Sequence, residues 1–210
     1  MSSSKIHSLT LCLETGIAGG SVALFSGNGF VAGDIGEGST SRSEDLLSAV
    51  EALLSEANTT ASDIGRIAVS LGPGSFTGLR IGIATALGLS RAIGCEIVGI
   101  PLLPAMLSLS EIEGRAAVIP IGRADRAFLF EHEESPAIVD AERLTETLSN
   151  AKAVIGPIEL LPELAGASIK RIDTGRNLAF IIGESVNSDL AKSDLTPIYL
   201  QNPVRSRGLY

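Results

Sequence analysis

Aromatic residues are nearly missing from this 210-residue chain: tryptophan is absent and Phe, Tyr and Trp together make up 4%. Its core must therefore be built from Leu, Ile, Val and Ala. The apolar fraction is 45% and the charged fraction 19%, a balance that excludes a disordered chain and indicates a globular protein. The length suits one large domain or two small ones.

Cysteine and histidine are equally scarce. Cys12 and Cys95 lie in apolar strand-like runs outside any CxxC, which favours buried small side chains over a metal or redox role. His7 and His132 are far apart and no HExxH occurs, which excludes a zinc-protease site of that type. We expect no bound metal and no cofactor.

Basic residues are outnumbered, with 16 Lys and Arg against 24 Asp and Glu. Nucleic-acid binding depends on cations that neutralise phosphates, so this chain is not expected to hold RNA or DNA alone. The pairs Arg123 with Arg126 and Arg205 with Arg207 are typical of ordinary surface.

Long hydrophobic runs are also lacking. The most apolar segment, IVGIPLLPAMLSL, has 13 residues and contains Pro101 and Pro104, too short and too broken to span a bilayer. The first residues lack the apolar centre of a signal peptide. We expect a cytoplasmic protein without membrane attachment.

The pattern of apolar runs and turn residues predicts two α/β domains, residues 1–103 and 104–210. The first has the order β-β-β-α-β-α-β, with strands at 8–14, 20–25, 29–35, 66–71 and 95–100 and helices at 43–57 and 78–92. A capping box, Ser41-Arg-Ser-Glu44, would open the first helix. The second, smaller domain carries a hairpin (AAVIPIG, RAFLFEHEE), a helix (DAERLTETLSNA), strands KAVIGP and IKRI, and a helix (GRNLAFIIGESVN).

The stretch LGPGSFTGLRIG has the outline of a phosphate-binding loop, a strand followed by a glycine-rich turn and a helix. It lacks the Lys of GxxxxGK[ST] and the spacing of GxGxxG, so the nucleotide signal is weak. A second phosphate loop would have to lie at Asp173–Arg176, which indicates a helix cap instead.

The helix after this turn carries Gly78, Gly82, Ala86 and Ser90 at intervals of four. Glycine inside a helix costs about 1 kcal/mol relative to alanine, so a close backbone approach must compensate. The approaching element is either the chain's own sheet or a partner subunit, and the spacing leaves both open.

These residues resemble the TsaB (YeaZ) family. The matching pieces are GPGSFTGLRIG, LCLETGIAGGSVALF, SEDLLSAVEALL and PIYLQN, dense over residues 8–104 and thin but collinear afterwards. The resemblance implies an α/β fold of the actin-like, sugar-kinase-like and Hsp70-like ATPases, with two related halves of which the second is reduced.

The resemblance also implies a function. Such proteins are non-catalytic dimerisation subunits of the complex that adds a threonylcarbamoyl group to N6 of the adenosine beside the anticodon in tRNA. The expected partners are the catalytic paralogue TsaD and the ATPase TsaE, with tRNA bound only through the complex and a homodimer left open. The expected partner interface comprises Leu47, Val50, Leu54, Gly78, Leu79, Gly82, Ile83 and Ala86.

Two positions bear on chemistry. The catalytic relative has two metal-binding histidines where this chain has Leu102 and Met106, so we expect no catalytic residues, no metal site and no enzyme activity of the chain alone. Glu14 and Thr15 stand where many members have Asp-Thr, and are weak candidates for nucleotide binding. The alternatives are a stand-alone ATPase or kinase of this fold and, less favoured, a glycoprotease.

Overall fold

The computed structural model describes residues 9–17, 19–36, 45–121, 126–131, 134–157 and 169–200. The chain forms two compact units, one comprising Met1–Ala105 and Arg176–Ile198, the other Met106–Gly175 and Tyr199–Tyr210. The first division lies two residues from the predicted boundary at 103/104. The prediction differs at the C-terminal end, because residues 176–198 return to the first unit.

The first unit contains a five-stranded mixed sheet in the order β3-β2-β1-β4-β5. Strands β1, β2 and β3 pair antiparallel, whereas β1, β4 and β5 pair parallel. The predicted order β-β-β-α-β-α-β is therefore the observed one over the described residues. The elements are β1 (Leu9–Glu14), β2 (Ser21–Ser26), β3 (Gly29–Ile35), α1 (Leu46–Glu56), a 3₁₀ turn (Ala61–Asp63), β4 (Ile64–Gly72), α2 (Phe76–Ile93) and β5 (Glu96–Pro101).

A short helix, α3 (Leu102–Leu107), follows β5 directly. The sequence does not predict this helix, because Pro101 and Pro104 interrupt the apolar segment. Proline is tolerated in the first turn of a helix, where its missing N–H has no intrahelical partner to lose. The predicted capping box at 41–44 lies outside the described residues.

Helices α1 and α2 cover one face of the first sheet. Their apolar residues, such as Leu53 of α1 and Ile83 of α2, share a buried cluster with alternate residues of β1, among them Leu11 and Leu13. Since neighbouring strand residues point to opposite faces, Cys12 and Glu14 point to the other face.

That other face receives the helix α5 (Leu178–Glu184), which explains why residues 176–198 belong to the first unit. The amide of Ala179 donates to Ser21 Oγ at 2.9 Å. Gly183 lies so close to Phe25 that a Cβ there would overlap its ring. The rings of Phe25 and Phe180 are 5.7 Å apart. A helix at this position was predicted, but its docking site was not visible in its own sequence.

The second unit contains another five-stranded sheet, ordered β10-β9-β6-β7-β8. The predicted hairpin is present as the antiparallel pair β6 and β7, whereas β8 was missed. Leu144 and Leu148 of α4 pack into the buried cluster of this unit. The elements are β6 (Arg115–Ile121), β7 (Arg126–Glu131), β8 (Ala137–Asp140), α4 (Ala141–Asn150), β9 (Ala153–Gly156) and β10 (Lys170–Asp173).

None of the helices in the described part of the chain is both long enough and apolar enough to cross a membrane.

Candidate functional site: the glycine-rich turn and helices α1 and α2

The glycine-rich turn is a structured corner between β4 and α2. Gly72 has φ 101°, a left-handed conformation that side chains other than glycine rarely adopt. Ser75 then caps α2, and its Oγ accepts the amide of Gly78 at 3.1 Å. At the other end Gly94, with φ 79°, closes the helix. The turn thus gives α2 a defined start directly after the sheet.

The turn packs against the loop that follows β1. The Ser75 amide donates to the carbonyl of Gly16 at 2.7 Å. A Cβ on Gly74 would lie 2.6 Å from the Gly16 Cα, a distance at which the backbone would have to move. Gly74 is therefore needed for the approach of one loop to another.

The first half of the small-residue stripe also serves the chain's own packing. Thr15 is 2% exposed, and its hydroxyl donates to the carbonyl of Gly78 at 2.8 Å. A Cβ on Gly78 would collide with the Thr15 carbonyl oxygen, and one on Gly82 with Thr15 Oγ1. These two glycines make room for Thr15.

The eight residues of the predicted partner interface lie on α1 and α2, but they do not form one exposed surface. Leu47 is 55% exposed. The other seven are buried, and their described neighbours belong to the chain itself: Val50, Leu54, Gly78, Leu79, Gly82, Ile83 and Ala86. Direct contact of these seven with a partner remains a prediction.

The exposed side of α2 carries a second small-residue stripe, Ala84, Gly88 and Ala92, again at intervals of four. A Cβ on Gly88 would meet nothing within 4 Å, so no contact among the described residues compensates for this helical glycine. The sequence alone could have indicated this second stripe, because Gly88 does not continue the four-residue spacing of Gly78 and Gly82 and so lies on another side of the helix. We call these three residues, with Leu47 and Phe76, the outer face.

Phe76 opens α2 and is 55% exposed. The guanidinium carbon of Arg80, one turn later, lies 3.8 Å from the centroid of its ring. A cation over a phenyl ring is attracted by the ring's electrons, and the contact favours this position of the ring. Phe76 and Leu47 are thus two large apolar side chains left exposed on these helices.

Glu14 and Thr15, the weak nucleotide-binding candidates, are turned into the chain. Glu14 is 1% exposed, and its Oε1 accepts the amides of Gly16 at 2.7 Å and Ile17 at 3.1 Å. Burial raises the pKa of Glu14 to about 7, although the two amide bonds pull it down. Because both side chains are almost fully buried and engage their own loop or helix, this arrangement does not support ligand binding.

The positions where the catalytic relative would have histidines are apolar and closed. Leu102 and Met106 are both 0% exposed. Within the residues that the structure describes, no three His, Cys, Asp or Glu side chains gather closely enough to hold a metal ion. His7 and His132 lie outside those residues.

The remaining sequence candidates are placed as follows. Asp173 Oδ1 accepts the amide of Gly175 at 3.0 Å, whereas the cap of α5 is Asn177, whose side chain accepts from Phe180; the predicted cap at Asp173–Arg176 is therefore off by one residue. Arg126 is exposed at the start of β7. Arg123, Arg205 and Arg207 lie outside the described residues.

Known proteins share parts of this sequence. The family model described as TsaD, tRNA N6-adenosine threonylcarbamoyltransferase, matches residues 37–172, well over half of the chain. The tRNA threonylcarbamoyladenosine biosynthesis protein TsaB of Escherichia coli is 39% identical over 61 residues, 29% of this chain and 26% of that protein. An uncharacterized protein of Mycobacterium tuberculosis is 40% identical over 63 residues, 30% of each chain. The chain thus matches less than a third of the length of these relatives.

Solved structures share the fold. An uncharacterized Pseudomonas aeruginosa protein with similarity to peptidase YeaZ has a TM-score of 0.63 at 23% identity, covering 92% of this chain and 100% of that one. YeaZ from the same organism has a TM-score of 0.62 at 21% identity over the same shares. The ethanolamine utilization protein EutJ of Carboxydothermus hydrogenoformans reaches 0.53 at 11% identity, covering 84% of this chain and 89% of its own.

These likenesses confirm the expected α/β actin-like fold in two halves. The resemblance of the glycine-rich turn to the TsaB (YeaZ) family is also confirmed. The chain belongs to the tRNA N6-adenosine threonylcarbamoyltransferase (TsaD) family and is a TsaB (YeaZ) type member.

Proposed function

We propose that this chain is a non-catalytic subunit that pairs, through the outer face of α1 and α2, with the catalytic paralogue TsaD. The pair would act in the cytoplasmic complex that adds a threonylcarbamoyl group to N6 of the adenosine beside the anticodon in tRNA. The observation that carries the proposal is the exposed stripe Ala84–Gly88–Ala92, which has small side chains and, at Gly88, open space where the described residues could have packed.

The stripe fits a helix-packing surface. Small side chains at intervals of four let a second helix approach at short interaxial distance. A glycine in an exposed helix interior costs about 1 kcal/mol against alanine, and no described residue makes a contact that offsets that cost at Gly88. Leu47 and Phe76 supply the apolar area that a partner could bury.

The non-catalytic part of the proposal is supported at α3. Leu102 and Met106 are fully buried apolar side chains, and neither offers the nitrogen or oxygen ligands of a catalytic metal. Contact with tRNA would come through the complex, because the chain has a net charge of −8 and phosphate binding requires clustered cations. TsaE would join the same assembly.

The test is reconstitution with TsaD, TsaE, tRNA and the threonylcarbamoyl intermediate. Modification should depend on this chain and should be lost with Gly88→Arg, which places a long cation on the outer face. Arg is a good helix former, so the variant should fold at least as well as the wild type. Ser149→Arg, at an exposed position of α4, is the matched control and should retain full activity.

Two results would contradict the proposal. One is equal modification with and without this chain. The other is a folded Gly88→Arg variant that supports modification as well as the control does, which would place the partner surface elsewhere. Tight binding of ATP and Mg²⁺ by the isolated chain, measured by calorimetry, would favour the stand-alone ATPase instead.

A further inference from the structure

The loop after β1 joins three parts of the first unit at one buried carboxyl group. Glu14 ends β1, and its Oε1 holds the amides of Gly16 and Ile17. In the same loop, Gly16 accepts the amide of Ser75 and Thr15 donates to the carbonyl of Gly78. The start of α2 is therefore tied to the residues that Glu14 organises.

Among the described residues, no charged group shifts the pKa of Glu14. Its side chain is 1% exposed, and both of its hydrogen bonds go to one oxygen, Oε1. Within the described part of the chain, the influences on its pKa are burial, which raises it, and the two amide bonds, which lower it. A buried carboxylate without a cation is unstable relative to its protonated form or to a conformation in which water reaches it.

Other ionisable groups near β1 do not substitute for such a cation. Cys12, on the same face, has its pKa raised by burial and stays neutral. Strand β2 has no ionisable side chain. The charged side chains on the other elements that contact β1 are Arg66 of β4, which pairs with the far end of β1, the exposed Arg80 and Arg91 of α2, and the exposed Glu184 of α5.

We propose that Glu14 is an internal proton switch that controls how firmly residues 15–17 are docked on the start of α2. With Glu14 neutral, the loop closes on Gly74 and Ser75. When Glu14 ionises, the carboxylate favours contact with water, and the loop opens away from α2. Phe76 of the outer face begins the same helical turn, so pairing would weaken as well; this last step rests on the proposed function.

The pH dependence follows from linkage. In the closed loop the pKa of Glu14 is about 7 and in an open, hydrated loop it is near the ordinary value of 4.5. The closed form binds the proton more tightly, so opening increases as the pH rises and levels off above 7. For these two values the opening constant should rise about fivefold from pH 6 to 7 and only about twofold from pH 7 to 8.

The experiment is amide hydrogen exchange on the isolated chain at pH 6, 7 and 8, corrected for the intrinsic effect of pH on exchange. The amides of Ser75 and Gly78 lie at the docked turn. In the wild type their protection factors should fall about fivefold from pH 6 to 7 and about twofold from pH 7 to 8. It should be independent of pH in Glu14→Gln, which keeps an acceptor oxygen but does not ionise. Glu51→Gln, at an exposed position of α1, is the control and should follow the wild type.

A second measurement does not depend on any variant. The side-chain carboxyl carbon of Glu14, followed by NMR in the wild type, should titrate with a midpoint near 7. A midpoint near 4.5, or protection that changes equally with pH in wild type and Glu14→Gln, would overturn the proposal. Neither measurement uses TsaD, so failure of the switch and failure of the proposed pairing are distinguishable.

Discussion

The two glycines at positions 82 and 88 of α2 provide a matched pair for testing what the small residues do. Both lie in the helix interior, six residues apart, and both can be replaced by alanine. Gly88→Ala adds a methyl group to open space and should stabilise the protein by up to about 1 kcal/mol through helix propensity alone. Gly82→Ala adds the same methyl group against Thr15 Oγ1.

The cost at position 82 can be built from its parts. Alanine again gains about 1 kcal/mol of helix propensity. Overpacking in a close-packed interior costs about 1–3 kcal/mol. If Thr15 rotates away to relieve the collision, its hydroxyl loses the bond to Gly78 O, which costs about 1–3 kcal/mol for a buried group left without a partner. With both costs present, the net expectation is a loss of about 1–5 kcal/mol, opposite in sign to the change at position 88.

Urea unfolding of both variants, followed by circular dichroism, gives the free energies of unfolding. A double-mutant cycle with Thr15→Ala then isolates the contact, because removing Oγ1 should make Gly82→Ala less costly by more than about 0.5 kcal/mol. If Gly82→Ala is as stable as Gly88→Ala, Gly82 does not serve internal packing. That result would favour the prediction that Gly82 belongs to the partner interface.

Three further predictions concern the cap of α2, the core of the second unit and the buried carboxyl group of Glu14. Ser75→Ala removes the side chain that caps α2 and should cost about 1 kcal/mol in the free energy of unfolding, whereas the control Thr145→Ala, at an exposed position of α4, should not destabilise the protein, because alanine is the better helix former. Leu148→Ala, at a position 0% exposed in the second unit, should cost about 2–5 kcal/mol, and a smaller loss would mean that this core collapses around the cavity. Since the folded pKa of Glu14 lies above its unfolded value, the stability that the neutral group contributes is present at low pH and is lost as the pH rises towards 7. Wild-type stability should therefore fall by about 2 kcal/mol between pH 5.5 and 8 relative to Glu14→Gln, and a constant difference would contradict the burial of this group.

The regular parts of the fold were predictable because their signal is local. Strand β4 is a continuous apolar run and helix α1 has a periodic apolar face, and both patterns define the element without reference to the rest of the chain. The predicted helices 43–57 and 78–92 correspond to Leu46–Glu56 and Phe76–Ile93. The strand β8 was missed because only Val139 of its four residues is buried, which leaves little periodicity to detect.

What the sequence left open depends on contacts between distant residues. The stripe Gly78–Gly82 is explained by Thr15, more than sixty positions earlier, and spacing alone could not distinguish it from a partner surface. In the same way α5 returns to the first unit because its small residues fit Ser21 and Phe25. Gly88, by contrast, could have been separated from Gly82 by its helical angle, since the two are six residues apart.

The central claim is that the outer face pairs with TsaD. It is tested most directly by the molar masses of the species that form when the two proteins are mixed. Size-exclusion chromatography with light scattering should give one heteromeric species for the wild type with TsaD, and for Ser149→Arg. Gly88→Arg should instead give the masses of the separate proteins while its unfolding free energy stays at or above that of the wild type. Separate masses for the wild type, or an intact heteromer with Gly88→Arg, would contradict the claim.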